Sequence, residues 1–292
     1  RRQRQMCIRD SNWKAVMPDG TVKSLIDVKR KNGILTVTKN FDSLEGTTTK
    51  SKYKKLSDGS WAMRLNISKD NKILAKRNIK HKMISSNEAE SVINGQKYRI
   101  KYSADEITVL DSKGKTNCII NLKELVDSCN TPDNAAKLKK MLKECSADEL
   151  QIISKKLKRL EFNNIATDSF ANCEDGIVSC SDDIFIFRHE MGHIDDLFGT
   201  GDIGRLSGSD KFRQVYQQEY DMFMNGFSNT QKDYVDYFIE RINVNRPNQP
   251  YEETVAELLA SNKCPGISTL LSTRTEYLER YFPKTRSFLV NA

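Results

Sequence analysis

Residues 184–198 read IFIFRHEMGHIDDLF, and the reading of this stretch decides how the rest of the chain is organised. Ser181, Asp182 and Asp183 precede it with capping oxygens and acidic first-turn charge, and Gly199 stands where a glycine ends a helix. The pattern predicts a helix. Along it Ile184, Phe187, Met191, Ile194 and Leu197 trace one apolar face, while Phe185, His189, His193 and Asp196 lie on a neighbouring one. His189 and His193 are one turn apart, so two ring nitrogens can reach one ion at about 2.0–2.1 Å. Glu190 projects beside them, within reach of a proton on a bound water.

Two helical histidines need a third ligand, either another His or a carboxylate. The chain holds only three histidines, and His81 lies far upstream in a different kind of sequence. Downstream, PYEETVAELLASN (250–262) begins with Pro250 at a helix entrance and spaces Glu253 and Glu257 one turn apart beside Val255, Leu258 and Leu259. Two glutamates facing one way on a mostly apolar helix repel each other unless a cation lies nearby. Glu253 is assigned as the third ligand, with Glu257 behind it orienting a ligand. Glu252, and a reversal of the roles of Glu253 and Glu257, stay open. Asp196, one turn beyond His193, is a candidate to orient a ligand histidine through its second ring nitrogen, against the alternative of an exposed acid at a helix end.

Charge divides the chain of 292 residues. Residues 1–130 carry 27 Lys/Arg against 14 Asp/Glu, and residues 131–292 carry 20 against 25. From Val22 to about Ile120, short β-branched runs (ILTVT, WAMRLNI, YRIKY, EITVL, NCII) alternate with turn signals such as Asp58-Gly59, Asn94-Gly95 and Lys113-Gly114-Lys115. After Cys129, Thr131-Pro132 caps AAKLKKMLKEC, and Ser146-Ala-Asp-Glu149 forms a capping box. That box opens LQIISKKLKRLEF, where Leu150, Ile153, Leu157 and Leu160 share a stripe. The expectation is an α+β chain: a basic β-rich module at 1–130 and a mainly helical domain at 131–292, within which GIVSC (176–180) is one short strand. The lysines of the basic module read first as a solvated strand face, with an acidic partner as the alternative and no nucleic acid expected.

Seven scattered cysteines without a CxxC pair exclude a disulfide framework and a thiolate zinc site, so reduced thiols are expected. No run approaches the roughly 18 apolar residues of a membrane span. The opening RRQRQMCIRD lacks the apolar core of a secretory signal, and any such signal would lie outside this sequence. GTGDIG (199–204) matches a phosphate-loop pattern in letters only, because it follows a helix; a glycine-rich loop flanking the cleft is the better reading. The aromatic stripe at 234–238 reads as core.

HEMGHIDD, the following SDKFRQVYQQE, EETVAE and the closing YFPKTRSFL together resemble, over about 182–292, the catalytic domain of anthrax toxin lethal factor and its relatives. The resemblance implies a zincin-like fold and a zinc-dependent endopeptidase, the effector part of a toxin, acting on a protein or peptide. It places one Zn2+ on His189, His193 and Glu253, and makes Glu190 the general base. The family also carries a tyrosine about two turns before the ligand glutamate; here that place falls near Asn245 or Arg246, with Tyr251 or Tyr237 as substitutes. A second expectation follows from that departure: a zincin-like binding or adhesion protein without turnover. An edge strand such as GIVSC is the expected rail for an extended peptide.

Overall fold

Alternation at period two, punctuated by residues that tolerate a left-handed backbone, builds one large sheet from the first part of the chain. The computed structural model describes residues 13–16, 22–43, 45–127, 131–162, 169–197, 204–225, 247–263 and 272–292. Ten antiparallel strands follow in meander order: β1 (Trp13–Val16), β2 (Val22–Lys31), β3 (Ile34–Asp42), β4 (Thr48–Lys55), β5 (Trp61–Lys69), β6 (Lys72–Ser85), β7 (Glu88–Ile93), β8 (Gln96–Tyr102), β9 (Glu106–Asp111) and β10 (Thr116–Asn121). Four reversals use two residues each, and in three of them Asn32, Asp70, Asn71 and Asn94 take positive φ, as hairpins of this twist demand. One face of the central strands buries Val37, Tyr53, Trp61, Met63, Leu65, Ile67 and Ile79 together. Lys50, Lys52, Lys54, Lys76 and Lys80 fall on the other face, as the pleat requires, whereas Lys39 shares the buried face with Val37 and Phe41.

Helices α1 (Leu122–Asp127), α2 (Pro132–Lys143) and α3 (Ala147–Lys156) follow. Thr131 Oγ1 accepts the Asn134 N–H at 3.2 Å, and Glu149 accepts the Ser146 N–H at 2.7 Å, so both expected caps form. The α3 helix, however, stops four residues before Leu160. Leu157 turns extended (φ −86°, ψ 119°), and Arg159–Phe162 becomes strand β11. A stripe of leucines suits either continuation. Tertiary pairing decides it, because the Gly176 carbonyl accepts from both Lys158 N–H (2.8 Å) and Arg159 N–H (3.3 Å).

β11 belongs to a second sheet with β12 (Phe170–Asn172) and β13 (Ile177–Cys180), in the order β11-β13-β12. The single strand expected at GIVSC is therefore one of three, and it is the middle one. Its ladder groups are taken by parallel β11 on one side and antiparallel β12 on the other, so GIVSC offers no free edge to an incoming peptide. The remaining helices are α4 (Ile184–Leu197), α5 (Asp210–Asn225), α6 (Gln249–Ser261), α7 (Ser272–Tyr281) and α8 (Pro283–Asn291). The architecture is α+β, a large antiparallel sheet followed by helices.

The change from strands to helices falls between Asn121 and Leu122, and the hydrophobic core runs across it and across position 130. One cluster joins Ala89, Ile100 and Val109 of the sheet to Leu142, Leu150, Val178, Phe187 and Ile194 downstream. Polar ties reinforce it. Trp61 Nε1 donates to the Glu144 carbonyl at 2.8 Å, and buried Glu279 of α7 accepts from Lys39 of β3 at 2.6 Å while facing Arg286 of α8 at 3.1 Å. The four described cysteines, Cys118, Cys145, Cys173 and Cys180, are free thiols. Residues 199–203, the 234–238 stripe, Tyr237, Asn245 and Arg246 lie outside the described residues.

Candidate metal centre

The α4 helix is buried more completely than its two-faced pattern predicts. Phe185, Ile186, Phe187, Arg188, His189, Glu190, Met191, Gly192, Ile194 and Asp196 are all buried. Asp183 Oδ1 accepts the Phe185 N–H at 2.7 Å, which fixes the start of the helix. A helix enclosed on nearly every side needs partners for its charged side chains. Arg188 finds them in Glu149, at 2.6 Å and 3.2 Å, and in the Glu144 carbonyl at 3.0 Å, with its guanidinium over the Trp61 ring. The helix is thereby bolted to α3 and to the large sheet.

On another side α4 crosses α6, and the crossing depends on two small residues. A methyl group built on Gly192 would lie 2.7 Å from the Ala256 Cα and 3.0 Å from the Ala256 carbonyl oxygen. The two backbones therefore touch. Residues flanking this contact on each helix, His189 and His193 on one and Glu253 and Glu257 on the other, are carried to the same place. The sequence reading missed this role of Gly192, although a small residue inside each motif was its visible signal.

His189, His193 and Glu253 offer three ligand atoms within 4.8 Å of one another. The Nε2 atoms of the two histidines are 3.2 Å apart, His189 Nε2 is 3.3 Å from Glu253 Oε2, and His193 Nε2 is 3.6 Å from Glu253 Oε1. Ligands arranged tetrahedrally about an ion at about 2.0–2.2 Å are separated by roughly 3.3–3.5 Å. The two histidine separations from Glu253 end on different oxygens of its carboxylate, and all three distances are of this size, so the two Nε2 atoms and the carboxylate fit a metal ion. The rings meet edge to face at 83°, with their centroids 4.9 Å apart.

Behind the triangle, Glu257 is fully buried and its Oε2 lies 3.0 Å from His189 Nδ1. A carboxylate accepts, so Nδ1 carries a proton, and Nε2, facing Glu253, is the nitrogen that an ion would take once its own proton leaves. The other Glu257 oxygen accepts from the Thr275 hydroxyl, tying α7 into the same chain. The division of roles between the two paired glutamates follows: Glu253 faces both histidines, and Glu257 faces the far nitrogen of one.

Electrostatics among the protein's own groups are strongly perturbed. Burial works against a charged His189, but hydrogen bonds to Glu253 and Glu257 outweigh it and hold the imidazole up at about 10. Burial likewise opposes ionised Glu253, yet its bond to His189 and the charges of His193, His189 and Arg274 hold its carboxyl well below the usual range. Glu190 is pushed up to about 7, chiefly by burial, with His189 opposing and Glu253 adding to the rise. Arg274 Nη1 sits 3.1 Å from Glu253 Oε2, a contact without any signal in the sequence.

Two other residues occupy places different from those expected. Asp196 is buried, and its Oδ1 accepts the backbone N–H groups of Leu206 (2.5 Å) and Ser207 (3.1 Å). It pins the turn at 204–208 to the end of α4 and bonds to neither histidine. Tyr251 packs its ring edge to face on Tyr216, with centroids 5.2 Å apart, and lies under the Arg213 guanidinium. Its ring is thus built into the aromatic cluster of α5, α6, α7 and α8, as a packing residue. His81, the histidine set aside, is a buried link: Nδ1 lies 3.0 Å from Ser91 Oγ and Nε2 lies 2.9 Å from the Lys143 carbonyl.

No protein-family model, curated protein or solved structure matches the chain.

Proposed function

We propose that the chain is a zinc-dependent endopeptidase with a zincin-like catalytic portion, in which His189, His193 and Glu253 hold the ion. The observation that supports this reading best is the close approach of the two Nε2 atoms (3.2 Å) and of each to an oxygen of Glu253 (3.3 and 3.6 Å), backed by a buried carboxylate against His189 Nδ1. The resemblance of HEMGHIDD and EETVAE to the lethal factor catalytic domain supports the same chemistry. Zinc, when bound, brings the pKa of a coordinated water toward neutrality and polarises a carbonyl as a Lewis acid. Glu190, adjacent to His189 and shielded from solvent, is the group that accepts the proton of the attacking water and returns it to the leaving amine nitrogen. A carboxyl lifted toward neutrality is suited to both halves of that exchange.

A second reading, a zincin-like binding protein without turnover, is favoured by one observation: the ring of Tyr251 is packed into an aromatic cluster, on Tyr216 and under Arg213. One set of measurements separates the two. Metal analysis of purified protein should find about one zinc per chain, lost in His189→Ala. Glu190→Gln should retain zinc and abolish cleavage of a diverse peptide library. Zinc without cleavage by the unmodified protein selects the binding reading, and absence of zinc rejects both.

A further inference from the structure

Four adjacent strands, β3 to β6, carry the stretches TVTKN (36–40), KSKYK (50–54), AMRLN (62–66) and KRNIK (76–80), and none contains an acidic residue. Alternation sends Val37, Tyr53, Met63, Leu65 and Ile79 into the core and leaves Lys50, Lys52, Lys54, Arg64, Lys76 and Lys80 exposed on the outer face. Register then crowds these charges. Lys52 is directly opposite Arg64, and Lys50 and Lys54 are its diagonal neighbours. Like charges placed opposite each other across a ladder destabilise a sheet.

Elsewhere the same sheet neutralises its cations: Arg99 pairs with Glu88, Lys55 with Glu144, Arg77 with Asp148, and Lys69 with Glu45. A merely solvated face would have no reason to concentrate on three strands six charges that have no ion-pair partner among the described residues. All of these cations except Lys54 also line an open hollow of about 880 Å³. Asn40, Asn66 and Asn78 alternate with the cations inside it, Asn40 and Asn66 flanking Lys50 on either side, and the Oδ1 atoms of Asn40 and Asn66 are buried without a hydrogen-bond partner.

We propose that this hollow binds a linear sulfated polysaccharide. The cations form a grid of about 4.8 by 6.8 Å, dense enough to need a ligand with several anionic groups per repeat. The interleaved amides fit a ligand that also presents hydroxyl groups, which a purely anionic chain does not. Single-stranded nucleic acid is the poorer fit, because no aromatic residue is among the described residues that line the hollow: Tyr53 and Trp61, the aromatic residues of β4 and β5, are buried on the opposite face. A bilayer surface is flat and does not follow a hollow of this size. The proposal is independent of the zinc reading.

The test titrates the full chain with a size-defined heparin oligosaccharide, its desulfated counterpart, a single-stranded RNA of matched charge, poly-glutamate, and vesicles containing phosphatidylserine. The heparin oligosaccharide should bind most tightly, at least tenfold above the desulfated form. Lys52→Gln with Arg64→Gln should weaken it and lower the slope of log Kd against log salt by roughly one to two. The same double variant should melt no lower than the unmodified protein at low salt, since it relieves a like-charge opposition. Lys113→Gln with Lys115→Gln, in an exposed turn of equal charge, should leave affinity unchanged. Absence of heparin binding, equal or tighter binding of RNA, poly-glutamate or vesicles, or equal loss in both double variants would overturn the proposal.

Discussion

Gly192 of α4 and Ala256 of α6 bring two helices into backbone contact, and that contact sets the distance between the histidines and the glutamates of the candidate metal centre. A side chain at Gly192 would meet backbone, which has no rotamer by which to yield. Gly192→Ala should therefore lower stability by about 1–3 kcal/mol and spread the donor triangle. Chemical denaturation combined with zinc stoichiometry checks it. Wild-type stability together with full zinc occupancy in the variant would contradict the role given to this contact.

Glu257 touches no ion directly in the proposed arrangement, yet it fixes which nitrogen of His189 is free. Glu257→Ala should weaken zinc binding by roughly 10- to 100-fold while leaving all three ligands in place. Thr275→Val should do the same to a smaller degree, because it removes the hydroxyl that holds the other Glu257 oxygen. Competition against a chromophoric chelator gives the affinities. A Glu257→Ala affinity equal to that of the unmodified protein counts against the orienting role.

Zinc uptake should be strongly pH-dependent. With His189 held at about 10 by Glu253 and Glu257 in the protein stripped of metal, the ion must displace a proton near neutral pH. Affinity should then rise about tenfold per pH unit from pH 7 toward 9. Calorimetry in buffers of different ionisation enthalpy should count about one proton released per ion at pH 7.5. A proton count of zero there would show that His189 is already neutral.

The Glu149–Arg188 pair gives a separate prediction for folding. Burial pushes the Glu149 carboxyl up, but the charges of Arg188 and Lys263 and the bonds from Arg188 and Ser146 outweigh it and hold it at about 2. A folded pKa below the ordinary 4.5 means stability that is present above pH 4.5 and lost as pH falls through about 2. Glu149→Gln leaves Arg188 buried beside a neutral partner and should cost about 3–5 kcal/mol. The variant should also lose stability less steeply between pH 4.5 and 2 than the unmodified protein does, which urea titrations across that range would detect.

Much of the site was legible because the chemistry is local. His189, Glu190 and His193 lie within one helical turn and a residue, and Glu253 and Glu257 within another, so 3.6-residue periodicity alone puts each set on one side of a helix. Caps at Thr131 and Ser146 and the turns at Asn94-Gly95 and Asp58-Gly59 were legible for the same reason. Residues that act across the fold were not. Thr275 and Arg274 sit in STRTEYLERY, whose letters say nothing about a glutamate some twenty residues away, and Asp196 finds its partners in the turn that follows its helix. Tyr251 was assigned by type, and packing placed its ring elsewhere.

The fold divides along the same line. Alternation and turn residues determined that the chain begins as a meander of strands, and helical spacing determined where α2, α4 and α6 run. Only the tertiary structure decided that RLEF leaves its helix to pair with IVSC, that IVSC is a central strand, and that the core continues across residue 130. A leucine stripe stabilises a helix or a buried strand equally well, and the choice falls to whichever backbone hydrogen bonds a distant segment can complete.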